Sequence, residues 1–131
     1  MIKFYLNKLV RNKDLDCFKA DNVVTHHRVI TGNEFQQALK NKLVEEAQEV
    51  HDTQDINEIT SELADIFDAA ANLCKTYNID MKDIERIQKE KSDKRGNYEK
   101  GIFIETIEME ETNPKAKHFR AQPQKYPEEK A

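Results

Sequence analysis

The sequence predicts an all-α fold built around an antiparallel helical hairpin. Its 131 residues contain three Gly, three Pro and no Trp, a composition that suits helices better than a turn-rich β architecture. Two consecutive segments, residues 34–50 and 56–77, repeat apolar side chains at helical spacing. Because only residues 51–55 connect them, the two helices are expected to pack side by side and antiparallel.

The chain ahead of the first long helix is mixed and basic, with Lys8, Arg11 and Lys13 set between apolar side chains. Residues 23–31 are rich in β-branched side chains that partly alternate with polar ones. This pattern is typical of a strand. We therefore expect a short extended segment near the N-terminal end of the domain.

Polar residues at the expected helix starts set the helix boundaries. Asn33 is expected to cap the first helix, with Gln36 as its capping-box partner. Asp55 and Glu58 stand in the same relation at the start of the second helix. The Asn-Ile-Asp break at residues 78–80 then starts a third helix, which runs to about residue 92.

The C-terminal part of the chain carries weaker signals. Gly96 marks a turn, and residues 101–109 predict either a short strand or a docked extended arm. From residue 112 onward Pro, Lys, Gln and Glu dominate, which is typical of a flexible tail. We therefore expect one domain over residues 1–111 and a flexible tail over residues 112–131.

Charge and hydropathy narrow the class of function. The 21 basic and 25 acidic residues are interspersed and give a net charge of −4, which argues against binding to a nucleic acid polymer. No apolar stretch approaches the roughly 20 residues needed to span a bilayer, and the first ten residues lack the apolar region of a secretory signal, so a cytoplasmic protein is expected. Because only 37% of residues are hydrophobic, we expect the core to be completed in a homo-oligomer.

Acidic residues flank the apolar stripes of both long helices at matching offsets. At about 100° per residue, Glu46 and Glu49 lie roughly 60° and 120° from Leu43, the centre of the first stripe. Glu62 and Asp65 lie at the same two offsets from Ile59 on the second helix. The apolar stripe of that helix comprises Ile59, Leu63, Ile66, Ala70, Leu73 and Tyr77. Antiparallel packing of the two stripes would bring these acids together on one side. The candidate metal ligands are Glu45, Glu46, Glu49, Glu62 and Asp65.

Such a cluster needs a counter-charge. Two carboxylates about 5 Å apart repel by roughly 3 kcal/mol at an effective dielectric of 20. A hard divalent cation with oxygen ligands relieves this repulsion, and Mg²⁺ suits a site shared by carboxylates and phosphate. The alternative is an ordinary solvated acidic face, but the matching positions on consecutive helices favour a metal site.

The same residues carry a resemblance to a known group of enzymes. Glu45-Glu46-x-x-Glu49, then twelve residues, then Glu62-x-x-Asp65 resembles the E-E-x-x-E … E-x-x-D signature of the all-α nucleoside triphosphate pyrophosphatase superfamily. That superfamily includes MazG-like enzymes, dimeric dUTPases and phosphoribosyl-ATP pyrophosphohydrolases. The segments KLVEEAQEV and ELADIFDAAANL look like its two metal-binding helices.

The two ends of the chain resemble a small MazG-like subgroup of bacteria and viruses. NKLVRNK at residues 7–13 is similar to that subgroup's KLVRDK opening, and residues 90–105 are similar to its closing segment. The chain departs from the subgroup at Asn12, which replaces Asp, and at residues 97–98, where Asn-Tyr replaces Gly-Phe. The tail from residue 112 has no counterpart in this pattern.

The resemblance implies a MazG-like bundle that hydrolyses a nucleoside triphosphate, or a related nucleotide, between the α and β phosphates. The products would be a nucleoside monophosphate and pyrophosphate, an activity that suits house-cleaning of the nucleotide pool. The resemblance also implies Mg²⁺ as the cofactor, with Mn²⁺ as a substitute, and assembly as a dimer or tetramer. In the family a helix carboxylate helps to activate water, and here Glu46 or Glu49 would do so.

Basic and amide side chains are candidates for contacts with the nucleotide. Cations neutralise a triphosphate, and Arg does so with paired hydrogen bonds. Asn72 lies on the same helix face as Asp65, two turns further along, and is placed to contact a base or sugar. A role as an ordinary surface residue is equally open for Asn72. The candidate substrate-binding residues are Lys8, Arg11, Lys13, Asn72, Lys94 and Arg95.

Two other functions stay open. One is the hydrolysis of phosphoribosyl-ATP in histidine synthesis, which uses similar helix-borne carboxylates, although the NKLVRNK opening favours the MazG-like subgroup. The other is a non-catalytic helical interaction module, in which the acids would form only a surface. Such a module should not be stabilised by Mg²⁺ or Mn²⁺.

Overall fold

The computed structural model describes residues 1–130, and they form helices joined by irregular segments. The all-α prediction is therefore confirmed. No strand forms among residues 1–130. The segments at residues 23–31 and 101–109, which were expected to be extended, therefore do not pair as strands. The helices are α1 (Asp14–Ala20), α2 (Gly32–Asp52), α3 (Ile56–Thr76), α4 (Met81–Arg95) and α5 (Lys115–Arg120).

Helices α2 and α3 form the predicted hairpin. They pack against each other, and only residues 53–55 connect them. At the far end of the pair, the side-chain amide of Gln36 donates to the backbone carbonyl of Thr76 at 3.3 Å. This bond joins the start of α2 to the end of α3, as an antiparallel arrangement requires.

The seam of the hairpin is small and includes a charged group. Leu39 on α2 and Ala69 on α3 are its buried apolar residues, and Glu46 is buried beside them. The sequence predicts Leu63 for the α3 stripe instead, but Leu63 is 40% exposed. The face of α3 that meets α2 is therefore rotated towards its acidic side.

The start of α3 agrees in part with the capping box that the sequence predicts. The Asp55 carboxylate accepts hydrogen bonds from the backbone N–H groups of Asn57 and Glu58 at 2.8 and 3.1 Å, which confirms the predicted N-cap. The reciprocal capping-box bond does not form. Glu58 accepts instead from the Thr53 hydroxyl at 2.5 Å, and the Asp55 N–H donates to the same hydroxyl at 3.2 Å.

The expected cap of α2 is wrong. The helix begins at Gly32, with Thr31 at the N-cap and no side-chain cap bond, so Asn33 lies inside the first turn. An ion pair replaces the cap, since both terminal nitrogens of Arg28 donate to the Glu34 carboxylate at 2.7 Å. This pair ties the preceding loop to the first turn, where an acidic residue also complements the helix dipole.

The chain divides into two compact units, the first comprising Met1–Asp93 and the second beginning at Lys94. In the second unit the apolar residues 102–104 are exposed. Helix α5 lies within the expected tail, and the ring of Phe119 meets that of Tyr126 edge to face at 5.0 Å. A boundary at residue 111 and a flexible tail after it stay predictions. None of the described helices is both long and apolar enough to cross a membrane.

Candidate metal centre

Three carboxylates meet where α2 and α3 pack together. Glu46 and Glu49 lie one turn apart on α2, and Glu62 faces them from α3. One oxygen of each lies within 4.8 Å of the others. Among residues 1–130, these three side chains form the one group of Asp, Glu, His or Cys residues that is close enough together to hold a metal ion. We call Glu46, Glu49 and Glu62 the carboxylate triad.

The triad is partly cut off from water. Glu46 is only 4% exposed, and one buried oxygen of Glu46 and one of Glu62 have no hydrogen-bond partner within the described part of the chain. Burying a carboxylate oxygen without a partner is unfavourable, and two carboxylates bond to each other only if they share a proton. The arrangement therefore requires either a shared proton or a cation. A set of carboxylate oxygens fits a hard divalent cation such as Mg²⁺.

The triad favours the protonated form of the Glu62 carboxyl. Hydrogen bonding with Glu46 and Glu49 raises the pKa of the Glu62 carboxyl to about 8, and desolvation and the two neighbouring negative charges act in the same direction. A divalent cation at the triad would compete with this proton. Cation binding should therefore release a proton at neutral pH.

The raised pKa predicts a pH-dependent stability. Since the carboxyl has a reference pKa of 4.5 and a folded value of about 8, the folded protein binds the extra proton between these values. The stabilisation is complete below about pH 4.5 and is lost as the pH rises to about 8. The unfolding free energy of metal-depleted protein should fall over this window, as measured by urea denaturation in EDTA. Glu62→Gln should remove this part of the slope, and Glu85→Gln on the exposed face of α4 should keep it. An unchanged slope in Glu62→Gln would contradict the assignment.

The other two candidate ligands lie outside the triad, each held by cations. Glu45 accepts from Lys8 Nζ at 3.0 Å and from Lys42 Nζ at 3.4 Å. Partial burial opposes the ionisation of Glu45, but these hydrogen bonds and positive charges lower its pKa overall. Asp65 accepts from Arg11 Nη2 at 2.6 Å. The structure thus brings together three of the five carboxylates that the sequence pattern groups.

Lys42 is a site residue that the sequence reasoning missed. Its ammonium lies 3.4 Å from Glu45 and 3.3 Å from the buried Glu46. These pairs have i,i+3 and i,i+4 spacing, which is the spacing of neighbours on one helix face. The same spacing rule, applied to basic residues, would have identified it.

A cleft of about 980 Å³ adjoins the acidic residues. Its walls come from the N-terminal segment, α1, α2 and α3, and its volume lies at the upper end of the range for small-molecule sites. Its lining includes the charged residues Lys42, Glu46 and Asp65 and the aromatic residues Phe18 and Phe35. Four of the candidate substrate-binding residues line the cleft, namely Lys8, Arg11, Lys13 and Asn72.

The remaining candidates, Lys94 and Arg95, lie in the last turn of α4. Cations there complement the negative end of the helix dipole. Their contact with a phosphate stays a prediction.

The chain matches one family model. The model described as phosphoribosyl-ATP pyrophosphohydrolase covers residues 20–92, more than half of the chain. This range includes α2 and α3 and therefore every candidate metal ligand, but it leaves out residues 7–13. No curated protein and no solved structure gives a significant match.

Proposed function

The chain belongs to the phosphoribosyl-ATP pyrophosphohydrolase family, and on that premise we propose that it is a Mg²⁺-dependent hydrolase of nucleoside triphosphates. Family membership makes it a nucleotide pyrophosphohydrolase. The proposed reaction consumes one water and splits the bond between the α and β phosphates, giving a nucleoside monophosphate, pyrophosphate and a proton. Its proposed role is the removal of unwanted nucleotides from the cytoplasmic pool.

The observation that carries this proposal is the carboxylate triad with its two buried, unpaired oxygens. A solvated acidic face would have water at every oxygen, whereas these two are cut off from it. Glu46, Glu49 and Glu62 would hold the ion, and Glu45 and Asp65 would complete its ligands. When bound, Mg²⁺ neutralises phosphate charge and lowers the pKa of a coordinated water.

Other tasks are proton acceptance from water, neutralisation of the phosphates and binding of the base, and we assign these to residues of the chain. Glu49 is exposed while Glu46 is buried, so Glu49 has the better access to water and is our choice for the base that accepts its proton. Lys8, Arg11 and Lys13 line the cleft and would neutralise the phosphates that the metal does not cover. Phe18 and Phe35, which also line the cleft, have the chemistry to receive a base.

A second candidate is the hydrolysis of phosphoribosyl-ATP, which the description of the matching family favours directly. Both substrates carry the same triphosphate, so the triad serves either reaction. Residues 7–13, which resemble the MazG-like subgroup, lie outside the matched range and favour nucleoside triphosphates.

A panel of substrates separates the two candidates. Purified protein with Mg²⁺ would be given standard and modified ribo- and deoxyribonucleoside triphosphates and phosphoribosyl-ATP, and pyrophosphate release would be measured. We expect the highest kcat/KM for one of the nucleoside triphosphates. A higher value for phosphoribosyl-ATP would favour the second candidate, and no pyrophosphate from any substrate would reject both.

We also propose that the protein is a homo-oligomer, a dimer or tetramer, in which a second copy covers an apolar flank of α3. Ile56, Leu63 and Phe67 share a flank about 40° wide on this helix. Ile56 is 76% exposed and Phe67 is 72% exposed. Apolar side chains in such a row are typical of a protein–protein contact.

Light scattering tests this assembly. At micromolar concentration the wild-type protein should have two or four times the mass of one chain. Phe67→Glu should shift it towards the monomer, because a buried charge without a partner disfavours the contact. Val29→Glu, at an exposed loop position, should leave the mass unchanged. A wild-type monomer would contradict the proposal.

A further inference from the structure

The two candidate ligands outside the triad are the two that the N-terminal segment holds. Lys8 Nζ lies 3.0 Å from Glu45, and Arg11 Nη2 lies 2.6 Å from Asp65. Both cations come from one short stretch of chain, and both partners flank the triad. This coincidence suggests that the segment controls access to the two carboxylates.

The Arg11 contact is the more specific of the two. One guanidinium nitrogen lies between two carboxylates of α3, 2.6 Å from Asp65 and 2.7 Å from Asp68. Asp68 is three residues from Asp65 and lies on an adjacent part of the helix face. The backbone N–H of Arg11 also donates to Asp14 at the start of α1, at 2.9 Å. Arg11 is thus fixed through both its main chain and its side chain.

A guanidinium and a divalent cation compete for the same carboxylate. A metal ion on either oxygen of Asp65 would stand close to the positive charge of Arg11. Asp65 is therefore a better metal ligand when Arg11 has moved away. Arg11 lines the cleft, so a phosphate bound there would be its natural new partner.

We propose that Arg11 is a positioning residue that withholds Asp65 from the metal and is exchanged onto the substrate's phosphates when the metal binds. Asp68 is the second anchor that keeps Arg11 on α3. Lys8 acts in the same way on Glu45. The inference rests on the proposed function, because it takes the triad as the metal site. It predicts that the substrate's phosphates and the metal assist each other's binding.

The opposite role for Arg11 is to hold Asp65 ready for the metal. The two roles predict opposite changes in metal affinity when the Arg11 side chain is removed. If Arg11 withholds Asp65, its removal tightens metal binding in the absence of nucleotide. If Arg11 prepares Asp65, its removal weakens metal binding.

The experiment is calorimetric titration of Mg²⁺, and separately Mn²⁺, into metal-depleted protein without nucleotide. We expect Arg11→Gln to bind the metal at least about threefold more tightly than wild type. Asp68→Asn should shift affinity in the same direction by a smaller factor, and the double variant should match Arg11→Gln. Arg28→Gln is the matched control, since its ion pair with Glu34 lies at the first turn of α2, and it should leave affinity unchanged.

Weaker or unchanged metal binding in Arg11→Gln would overturn the inference. If Arg11→Gln does not fold, as judged by circular dichroism, Asp68→Asn decides the sign alone. Failure of the proposed function gives a different result, because Glu49→Gln and Glu62→Gln would then bind the metal as wild type does. If metal binding depends on the triad but becomes weaker in Arg11→Gln, the proposed function stands. The proposal that Arg11 withholds Asp65 is then rejected.

Discussion

Glu49→Gln and Glu62→Gln should each lower kcat/KM by about 10²- to 10⁴-fold without lowering the melting temperature of the metal-depleted protein. Glu49→Gln removes one negative charge with little change of shape, which relieves repulsion within the triad. Glu62→Gln replaces a carboxyl that its pKa of about 8 keeps largely protonated at neutral pH with a neutral amide of the same shape, so it should cost little stability. The same change deletes a metal ligand, so the rise in melting temperature on adding Mg²⁺ should shrink. Loss of turnover without loss of stability distinguishes a functional carboxylate from a structural one.

Undiminished stability without metal is expected at these two residues because neither has a cationic partner to lose. Neither Glu49 nor Glu62 forms an ion pair with another described residue, whereas Glu46 pairs with Lys42 at 3.3 Å and Asp65 with Arg11 at 2.6 Å. In Glu46→Gln and Asp65→Asn the lost ion pair offsets the relieved repulsion, so their metal-depleted stability should change little while turnover still falls.

Thermal unfolding with and without Mg²⁺, together with pyrophosphate release, measures both effects. Glu85→Gln on α4 is the control and should change neither. Near-zero effects of Glu49→Gln and Glu62→Gln on both measurements are what a solvated acidic face would give, and they would contradict the metal centre.

Leu39→Ala should lower the free energy of unfolding by about 2–5 kcal/mol, the usual cost of emptying a buried leucine site. Leu39 is 5% exposed and is one of the few buried apolar residues of the hairpin seam. Little else in that seam can compensate for the lost side chain. Because the seam positions Glu62 against Glu46 and Glu49, metal affinity should fall with stability.

Urea denaturation of Leu39→Ala and of Val44→Ala measures this effect. Val44 lies on the same helix but is 70% exposed, so its truncation should cost less than about 1 kcal/mol. Any cost that it has through a subunit contact would depend on protein concentration, whereas the cost of Leu39→Ala would remain at every concentration. Equal small losses in both variants would mean that the hairpin seam is not the core.

Sequence periodicity predicted the long helices well and the short ones poorly. The first long helix was expected over residues 34–50 and spans Gly32–Asp52, and the second begins at Ile56 as expected. Long amphipathic stretches repeat their signal over several turns. Helices α1 and α5 have seven and six residues, too few for a periodic signal. Residues 101–109 have β-branched character, but strands need a partner and this segment has none among the described residues.

The candidate site was predictable as far as it depends on single helices. The offsets of Glu46, Glu49 and Glu62 follow from helical geometry, and the hairpin brings them together. The contacts of Arg11 with Asp65 and of Lys8 with Glu45 join residues 54 and 37 positions apart. No local sequence pattern encodes such pairs. The sequence therefore predicts Glu45 and Asp65 as metal ligands together with the triad, and the two cations as phosphate contacts.

Identification of the products by ³¹P NMR tests the central claim most directly. Wild-type protein with Mg²⁺ and its preferred nucleoside triphosphate should give the monophosphate and pyrophosphate. The reaction should stop in EDTA and be nearly absent in Glu49→Gln. Release of inorganic phosphate with a nucleoside diphosphate, or equal turnover in EDTA, would contradict metal-dependent cleavage between the α and β phosphates at the carboxylate triad.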